Sequence, residues 1–239
     1  MPEVDWSKTV EAIEPHIVRI LTPRGSGTGF LIKTQSFYGI ATAAHVINHS
    51  HYWEEPIRIQ HFSSREWVLL HSYERAIILD ETQDSAIILL SNQGSIAFPA
   101  DMLPLGPQDK YVRVGVQIGW LGFPAIPHAN LCFFGGRISA FLRDQKAYLV
   151  DGVAIHGVSG GPAFLAVPSN TDFPPHIMGI VSEYRPNVAT GIALPGLSVV
   201  RDVSYLHRGI AAITSFEQAK SVETPSTNPP IISGEERPN

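Results

Sequence analysis

Short runs of alternating apolar and polar residues recur along most of the chain, each bounded by Gly, Pro, Asn, Asp or Ser. That pattern marks β-strands joined by tight turns. In the first half it predicts strands near 17–22, 28–33, 37–42, 56–60, 66–79 and 85–90. In the second half it predicts them near 114–121, 131–142, 146–150, 162–167, 177–182 and 190–194. Between the two sets, Pro99, Pro104 and Pro107 stand among polar residues over 98–110. Proline cannot donate to a strand ladder, so this segment reads as a surface linker. Six strands, a linker and six strands predict an all-β fold of two six-stranded antiparallel β-barrels, over about 16–97 and about 111–200. No internal repeat relates the halves.

Two short helices complete the expected domain, residues 1–216. One covers 6–13, opened by Asp5 or Ser7 and ended before Pro15. The other covers 202–216, with Leu206, Ile210 and Ile213 on one face. From Glu217 to Asn239 the chain is polar and proline-rich, which predicts a disordered tail, with a partner-docking peptide as the alternative.

Composition narrows the function. At 239 residues, 44% hydrophobic and 16% charged, the chain can bury a sizeable core. A net charge of −5 without a Lys/Arg run argues against nucleic acid or an anionic membrane as partner. The apolar runs, such as 86–90, are too short to span a bilayer. Met1-Pro2-Glu3-Val4-Asp5 lacks a basic start and an apolar signal core, and Cys132 is the single cysteine. No intrachain disulfide can form, so a cytoplasmic location is expected. Cys132, in Leu131-Cys132-Phe133-Phe134, reads as a core thiol.

The chemistry concentrates at Gly157-Val158-Ser159-Gly160-Gly161-Pro162. A nucleophilic serine stands on a tight, exposed turn, and two backbone N–H groups two residues apart converge on the developing oxyanion. Glycines on both sides permit the dihedrals and the close approach of substrate. The same letters satisfy the Gly-x-Ser-x-Gly elbow of α/β-hydrolases, which requires a helix after the serine and the acid and histidine later in the chain. Here an apolar strand, 163–167, follows instead. Asp202 and His207 are available downstream, but His207 falls on the polar side of the C-terminal helix.

The base is His45, presented after a strand by Ala41-Thr42-Ala43-Ala44-His45-Val46. A Gly-rich strand entry, Gly25-Ser26-Gly27-Thr28-Gly29, precedes it; a dinucleotide loop is the rival reading, weakened because a strand follows. His45, His49 and His51 also invite a metal reading, but no Glu stands at zincin spacing and 49–51 looks like an exposed loop, so neither metal nor cofactor is expected. For the acid, Asp84 lies immediately before the apolar run 85–90, where a carboxylate is held dehydrated against imidazole. Asp80, inside the turn Asp80-Glu81-Thr82-Gln83, is the competitor.

Thr42-Ala43-Ala44-His45, Asp84-Ser85-Ala86 and Gly157-x-Ser159-Gly160-Gly161-Pro162, in that order, resemble the trypsin/chymotrypsin superfamily of serine peptidases. The disulfide-free HtrA/Deg-type branch is the closer match, through 116–124, Asp151 and Gly191-Ile192-Ala193-Leu194-Pro195. The likeness spans about 17–200. It implies a two-barrel trypsin-like fold, a cleft for an extended protein or peptide substrate, and an oxyanion hole from the N–H groups of Gly157 and Ser159. It also implies that Ser182 hydrogen-bonds the triad aspartate, and that Val153, Ala154, His156, Glu183 and Tyr184 border the substrate pocket with Ser182. Val153 takes the place of the pocket floor, six residues before Ser159, so cleavage is expected after small or medium apolar residues.

Three departures bear on control. No PDZ-sized segment is expected after the protease domain, so HtrA-style regulation is not assumed. Val158 replaces the aspartate that zymogen-activated relatives pair with a new N-terminus, so no activating cleavage is expected and control falls to loop order or a regulatory protein partner. Tyr184 stands where many relatives have glycine and narrows the pocket. An active endopeptidase is the leading reading. The alternative is a catalytically silent, protease-like protein-binding module.

Overall fold

The computed structural model describes residues 4–34, 37–90, 96–127, 130–169, 171, 173–187 and 194–222. The chain opens with β1 (Val4–Asp5) and α1 (Trp6–Ile13), whose N-terminus is capped by the Asp5 carboxylate accepting from the Lys8 N–H. The first sheet comprises β2 (Ile17–Thr22), β3 (Gly25–Lys33), β4 (Tyr38–Thr42), β5 (Ile57–His61), β6 (Trp67–Leu70), β7 (Arg75–Asp80) and β8 (Ser85–Leu90). Between β4 and β5 runs a second helix, α2 (Ala44–Tyr52). The second half supplies β9 (Gln117–Gly122), β10 (Cys132–Leu142), β11 (Ala147–Asp151), β12 (Pro162–Phe164), β13 (Val167–Pro168), β14 (Ile177–Asn187) and β15 (Leu194–Asp202). The last element among the described residues is α3 (Ser204–Val222).

The all-β double-barrel expectation holds. Every ladder within the two large sheets is antiparallel, in the orders β6-β5-β2-β3-β4-β8-β7 and, as a closed barrel, β10-β11-β15-β14-β12-β9. The first barrel differs from the six-strand expectation. Residues 66–79 form two strands, because the 3₁₀ turn Ser72–Glu74 breaks the run, and no ladder among the described residues joins edge strands β6 and β7. The Arg75 guanidinium holds that corner together by donating to the carbonyls of Leu70, Ser50 and Glu55. The last strand is β15, beyond the expected 190–194, of which 190–193 lie outside the described residues. Helix α3 starts at Ser204 and runs six residues past 216; residues 223–239 lie outside the described residues.

Alternation explains the cores. Val18, Ile20, Ile57, Ile59 and Ile88 turn inward in the first sheet and are fully buried. Ile118, Trp120, Tyr148, Val150, Val181 and Val200 fill the closed barrel. Leu206 and Ile213 of α3 join the first core, as the apolar face at 206, 210 and 213 predicts. The 98–110 linker contributes an isolated bridge, Leu105 to Ile177. Cys132 is half-buried at the start of β10 rather than in the core. No described helix is long and apolar enough to cross a membrane.

Candidate active site

Strand pairing brings His45 and Asp84 together. Thr42, at the end of β4, pairs with Ala86 of β8. Extending that antiparallel ladder by two residues places Ala44 opposite Asp84, so His45 and Asp84 emerge from adjacent strand ends. His45 then falls in the first turn of α2, not on a simple turn. Its amide is one of the helix's orphan N–H groups and donates to Asp84 Oδ1 at 3.0 Å. Asp84 thus caps the helix as well as facing the imidazole, and it adopts φ 45°, a left-handed conformation that aspartate tolerates better than most residues.

The ring contact sets the tautomer. His45 Nδ1 lies 3.0 and 2.9 Å from the two Asp84 oxygens. An ionised carboxylate accepts only, so Nδ1 carries the proton and donates, and neutral His45 keeps its lone pair on Nε2. Ser182 Oγ donates to Asp84 Oδ2. Burial pushes the Asp84 carboxyl up, but the bonds from His45 and Ser182 outweigh burial and hold it below the ordinary carboxylate range. Ser182 reaches Asp84 because it is the unpaired residue of a bulge in β14. Val181 pairs with Val200 and Glu183 with Val199, leaving Ser182 extra and re-aimed.

Asp80, the competing acid, is committed elsewhere: its Oδ1 accepts from the N–H groups of Thr82 and Gln83 and from Thr82 Oγ1. His207 of the elbow reading bonds the Gly106 carbonyl at 2.7 Å, and β12, not a helix, follows Ser159. His49 lies on α2 rather than in a loop. It donates from Nδ1 to Glu55 at 2.9 Å and stacks on Trp53, while Ser50 beside it is fully buried.

Ser159 is delivered by the second barrel and docked onto the first. Thr28, on β3, donates from its N–H to the Ser159 carbonyl at 2.8 Å and from Oγ1 to the Gly157 carbonyl at 2.7 Å. Thr42 Oγ1 in turn donates to the Thr28 carbonyl at 2.7 Å. The glycines are dictated by this seat. Gly160 has φ 88°, and a Cβ there would lie 2.1 Å from the Thr28 carbonyl oxygen. Gly157 has φ 93°, and its Cβ would meet the Phe123 carbonyl at 2.3 Å. Fully buried Val158 packs on Gly122, so an apolar contact anchors the loop. Sequence reasoning overlooked Thr28 and Thr42 as site residues. Their signal was a β-branched hydroxyl inside each of two apolar, Gly/Ala-rich strands, since both are fully buried.

Peptide planarity aims the two candidate N–H groups. The His156 carbonyl accepts from the Ala125 N–H at 2.7 Å, and the Val158 carbonyl from the Gly161 N–H at 3.0 Å. The N–H of each of those peptide units, belonging to Gly157 and Ser159, points the opposite way and donates to no described acceptor. The Ser159 hydroxyl itself donates to the Ser182 carbonyl at 3.2 Å and makes no hydrogen bond to His45.

Of the remaining residues, Val153 is 57% exposed on the loop after β11, presenting surface rather than an enclosed floor. Ala154 is buried in the second core and His156 is exposed. The Glu183 carboxylate is ion-paired with Arg185 at 2.7 Å. Tyr184 lies in β14 directly after Glu183.

No protein-family model matches the chain, and no curated protein matches it by sequence. Solved structures do match. A serine endoprotease from Yersinia pestis aligns with a TM-score of 0.64 at 17% identity, covering 89% of this chain and 67% of that one. Rv3671c protease, in an inactive form, aligns with a TM-score of 0.59 at 19% identity, covering 88% and 97%. A mutant of Rv3671c from M. tuberculosis, also inactive, gives 0.58 at 18%, covering 89% and 95%. The fold is that of the trypsin-like serine peptidases. Within this trypsin-like fold, Ser159 comes from the closed barrel and the His45–Asp84 pair from the open one.

Proposed function

We propose that the chain is a serine endopeptidase with His45, Asp84 and Ser159 as its catalytic triad. The observation that carries this reading is the orientation of His45. Asp84, itself braced by Ser182, fixes Nδ1–H and leaves Nε2 as a base. In the proposed cycle Ser159 rotates from the Ser182 carbonyl toward Nε2, which takes the hydroxyl proton as Oγ attacks the scissile carbonyl. The N–H groups of Gly157 and Ser159 receive the oxyanion. Collapse breaks the C–N bond, and His45 returns its proton to the leaving amine. Water then repeats the sequence on the acyl-enzyme, releasing the acid and restoring Ser159.

Cleavage after small or medium apolar residues, such as Val, Ala or Leu, follows from the lack of a free carboxylate among the candidate pocket residues. Val153 and Ala154 are apolar, and the exposed Glu183 carboxylate is already paired with Arg185 at 2.7 Å. A substrate Lys or Arg beside these residues would find no unpaired carboxylate to offset the loss of its hydration. The substrate is an extended protein or peptide segment. The single cysteine favours a reducing, cytoplasmic setting.

One observation favours the catalytically silent alternative: the Ser159 hydroxyl is bonded to Ser182 and not to His45. Mapping new protein N-termini after expression of the wild type and of Ser159→Ala separates the readings. New termini that follow Val, Ala or Leu and vanish in the variant are expected. Termini mostly after Arg or Lys would overturn the pocket reading. The absence of any Ser159-dependent terminus would overturn the peptidase reading in favour of a binding module.

A further inference from the structure

The outward face of the first barrel carries arginines that the proposed chemistry does not use. Arg19 pairs with Gln60 across β2 and β5, Leu21 with Arg58, and Gln60 with Trp67 across β5 and β6. Arg19, Arg58, Gln60 and Trp67 therefore share the face opposite buried Val18, Ile20, Ile57 and Ile59. Arg65 joins them from the turn after β5. Each arginine lies over an aromatic ring: Arg19 over Phe123 at 5.9 Å, Arg58 over Trp67 at 4.7 Å and Arg65 over Phe62 at 5.5 Å. None forms an ion pair with a carboxylate among the described residues. A guanidinium laid on a ring is oriented but keeps its N–H edge free, and that edge is a fork matched to an oxyanion.

Arg19 and Arg65 meet in one cleft at the seam between the barrels, which Gln60, His61 and Phe123 also line. No Asp or Glu appears among its described lining residues, although the chain carries a net charge of −5. A buried nitrogen lining this cleft, Arg19 Nε, has no hydrogen-bond partner. Buried polar atoms are almost always satisfied, so the cleft is polar, cationic and incomplete as it stands. It is also preformed. Arg65 is held at φ 60° by its N–H bond to the His61 carbonyl at 3.0 Å, while the Gln60 carboxamide donates to the Arg65 carbonyl at 2.9 Å.

We propose that the Arg19–Arg65 cleft is an oxyanion-binding site for a carboxylate or phosphate group, separate from the Ser159 centre. It does not depend on the peptidase reading. Its wall is nonetheless close to that centre, because the Phe123 N–H donates to Thr28 Oγ1, which holds the Gly157 carbonyl.

The test is calorimetric titration of the full chain carrying Ser159→Ala with inorganic phosphate and, separately, with tetraglutamate against tetraglutamine, at matched ionic strength. Saturable binding is expected, weakened at least tenfold by Arg19→Ala and by Arg65→Ala, with Arg65→Lys intermediate. Phosphate binding as tightly as tetraglutamate identifies a free anion as the occupant. Tetraglutamate binding at least tenfold tighter identifies an acidic polypeptide segment. Binding no different from sodium chloride for both probes, or binding unchanged in Arg65→Ala, whose exposed side chain leaves the fold intact, would overturn the proposal.

Discussion

The two halves of the site are built by different means. On the first barrel, His45 and Asp84 are bonded to each other before any substrate arrives, positioned by one strand ladder and a helix N-terminus. On the second, Ser159 sits on a loop whose shape rests on two positive-φ glycines and on Thr28 reaching across the seam. Its hydroxyl is turned toward Ser182. On the proposed reading the acid–base pair is preorganised, while the Ser159 hydroxyl must turn from the Ser182 carbonyl to reach it. If Ser159 is the nucleophile, sensitivity to perturbation concentrates in the glycine turn and its seat on Thr28.

The largest effect that probes this contrast is loss of either partner. Ser159→Ala and His45→Ala should each lower turnover on the order of 10⁶-fold while leaving the melting temperature within a few degrees of wild type. Retention of a few per cent activity by either would break the assignment. Next comes the turn itself. A Cβ at Gly160 would collide with the Thr28 carbonyl and Thr42 Oγ1 at 2.1 and 2.2 Å. Gly160→Ala should therefore displace both N–H donors and cost at least about 10²–10³ in kcat, the scale of losing one oxyanion donor. Asp84 and its bond to His45 should remain intact, as the imidazole NMR signals would report.

A smaller effect is expected from Ser182→Ala, which removes one bond to Asp84, worth about 1.5–3 kcal/mol to a charged acceptor. Because the folded Asp84 carboxyl lies below its ordinary range, its contribution to stability is complete above that range and is lost as pH falls through the depressed value. The variant should begin losing stability at a higher pH than wild type in melting curves between pH 5 and 3. His16, at the base of the first barrel, gives an effect of comparable size that lies outside the site. Burial, and then the charge of nearby His61, lowers its pKa from 6.5 to about 4. The unfolded chain thus binds a proton over an interval in which the folded chain does not. Stability should fall as pH drops from 6.5 to about 4, by on the order of 2–3 kcal/mol. His16→Met should flatten that slope. An unchanged slope would show that His16 is not the titrating group.

Much of this contrast was legible in the sequence where the chemistry is local. Gly157 to Pro162 announces itself because a tight turn with two free N–H groups needs glycine at fixed positions, and Asp84 because it heads an apolar strand. What escaped depends on tertiary pairing. Helix α2 was invisible because His49, Ser50 and His51 look like a loop until Ser50 is buried and Asp84 caps the helix from another strand. The break at Ser72–Glu74 was hidden inside a continuous β-like run. The bulge that aims Ser182 exists only in the register of β14 against β15, and Ser182 was expected through resemblance alone. Thr28 and Thr42 read as ordinary strand residues, since the loop they hold arrives from more than 110 residues away.

The central claim is that Ser159 becomes a nucleophile because Asp84 orients His45. The direct measurement is the mass of the intact protein after exposure to a fluorophosphonate, followed by mapping of the modified residue. A single adduct on Ser159 is predicted for the wild type, forming at least about 10³-fold more slowly in His45→Ala and markedly more slowly in Asp84→Asn, which sets the wrong tautomer. Absence of the adduct from folded wild-type protein, or its formation at an undiminished rate in His45→Ala, would contradict the account.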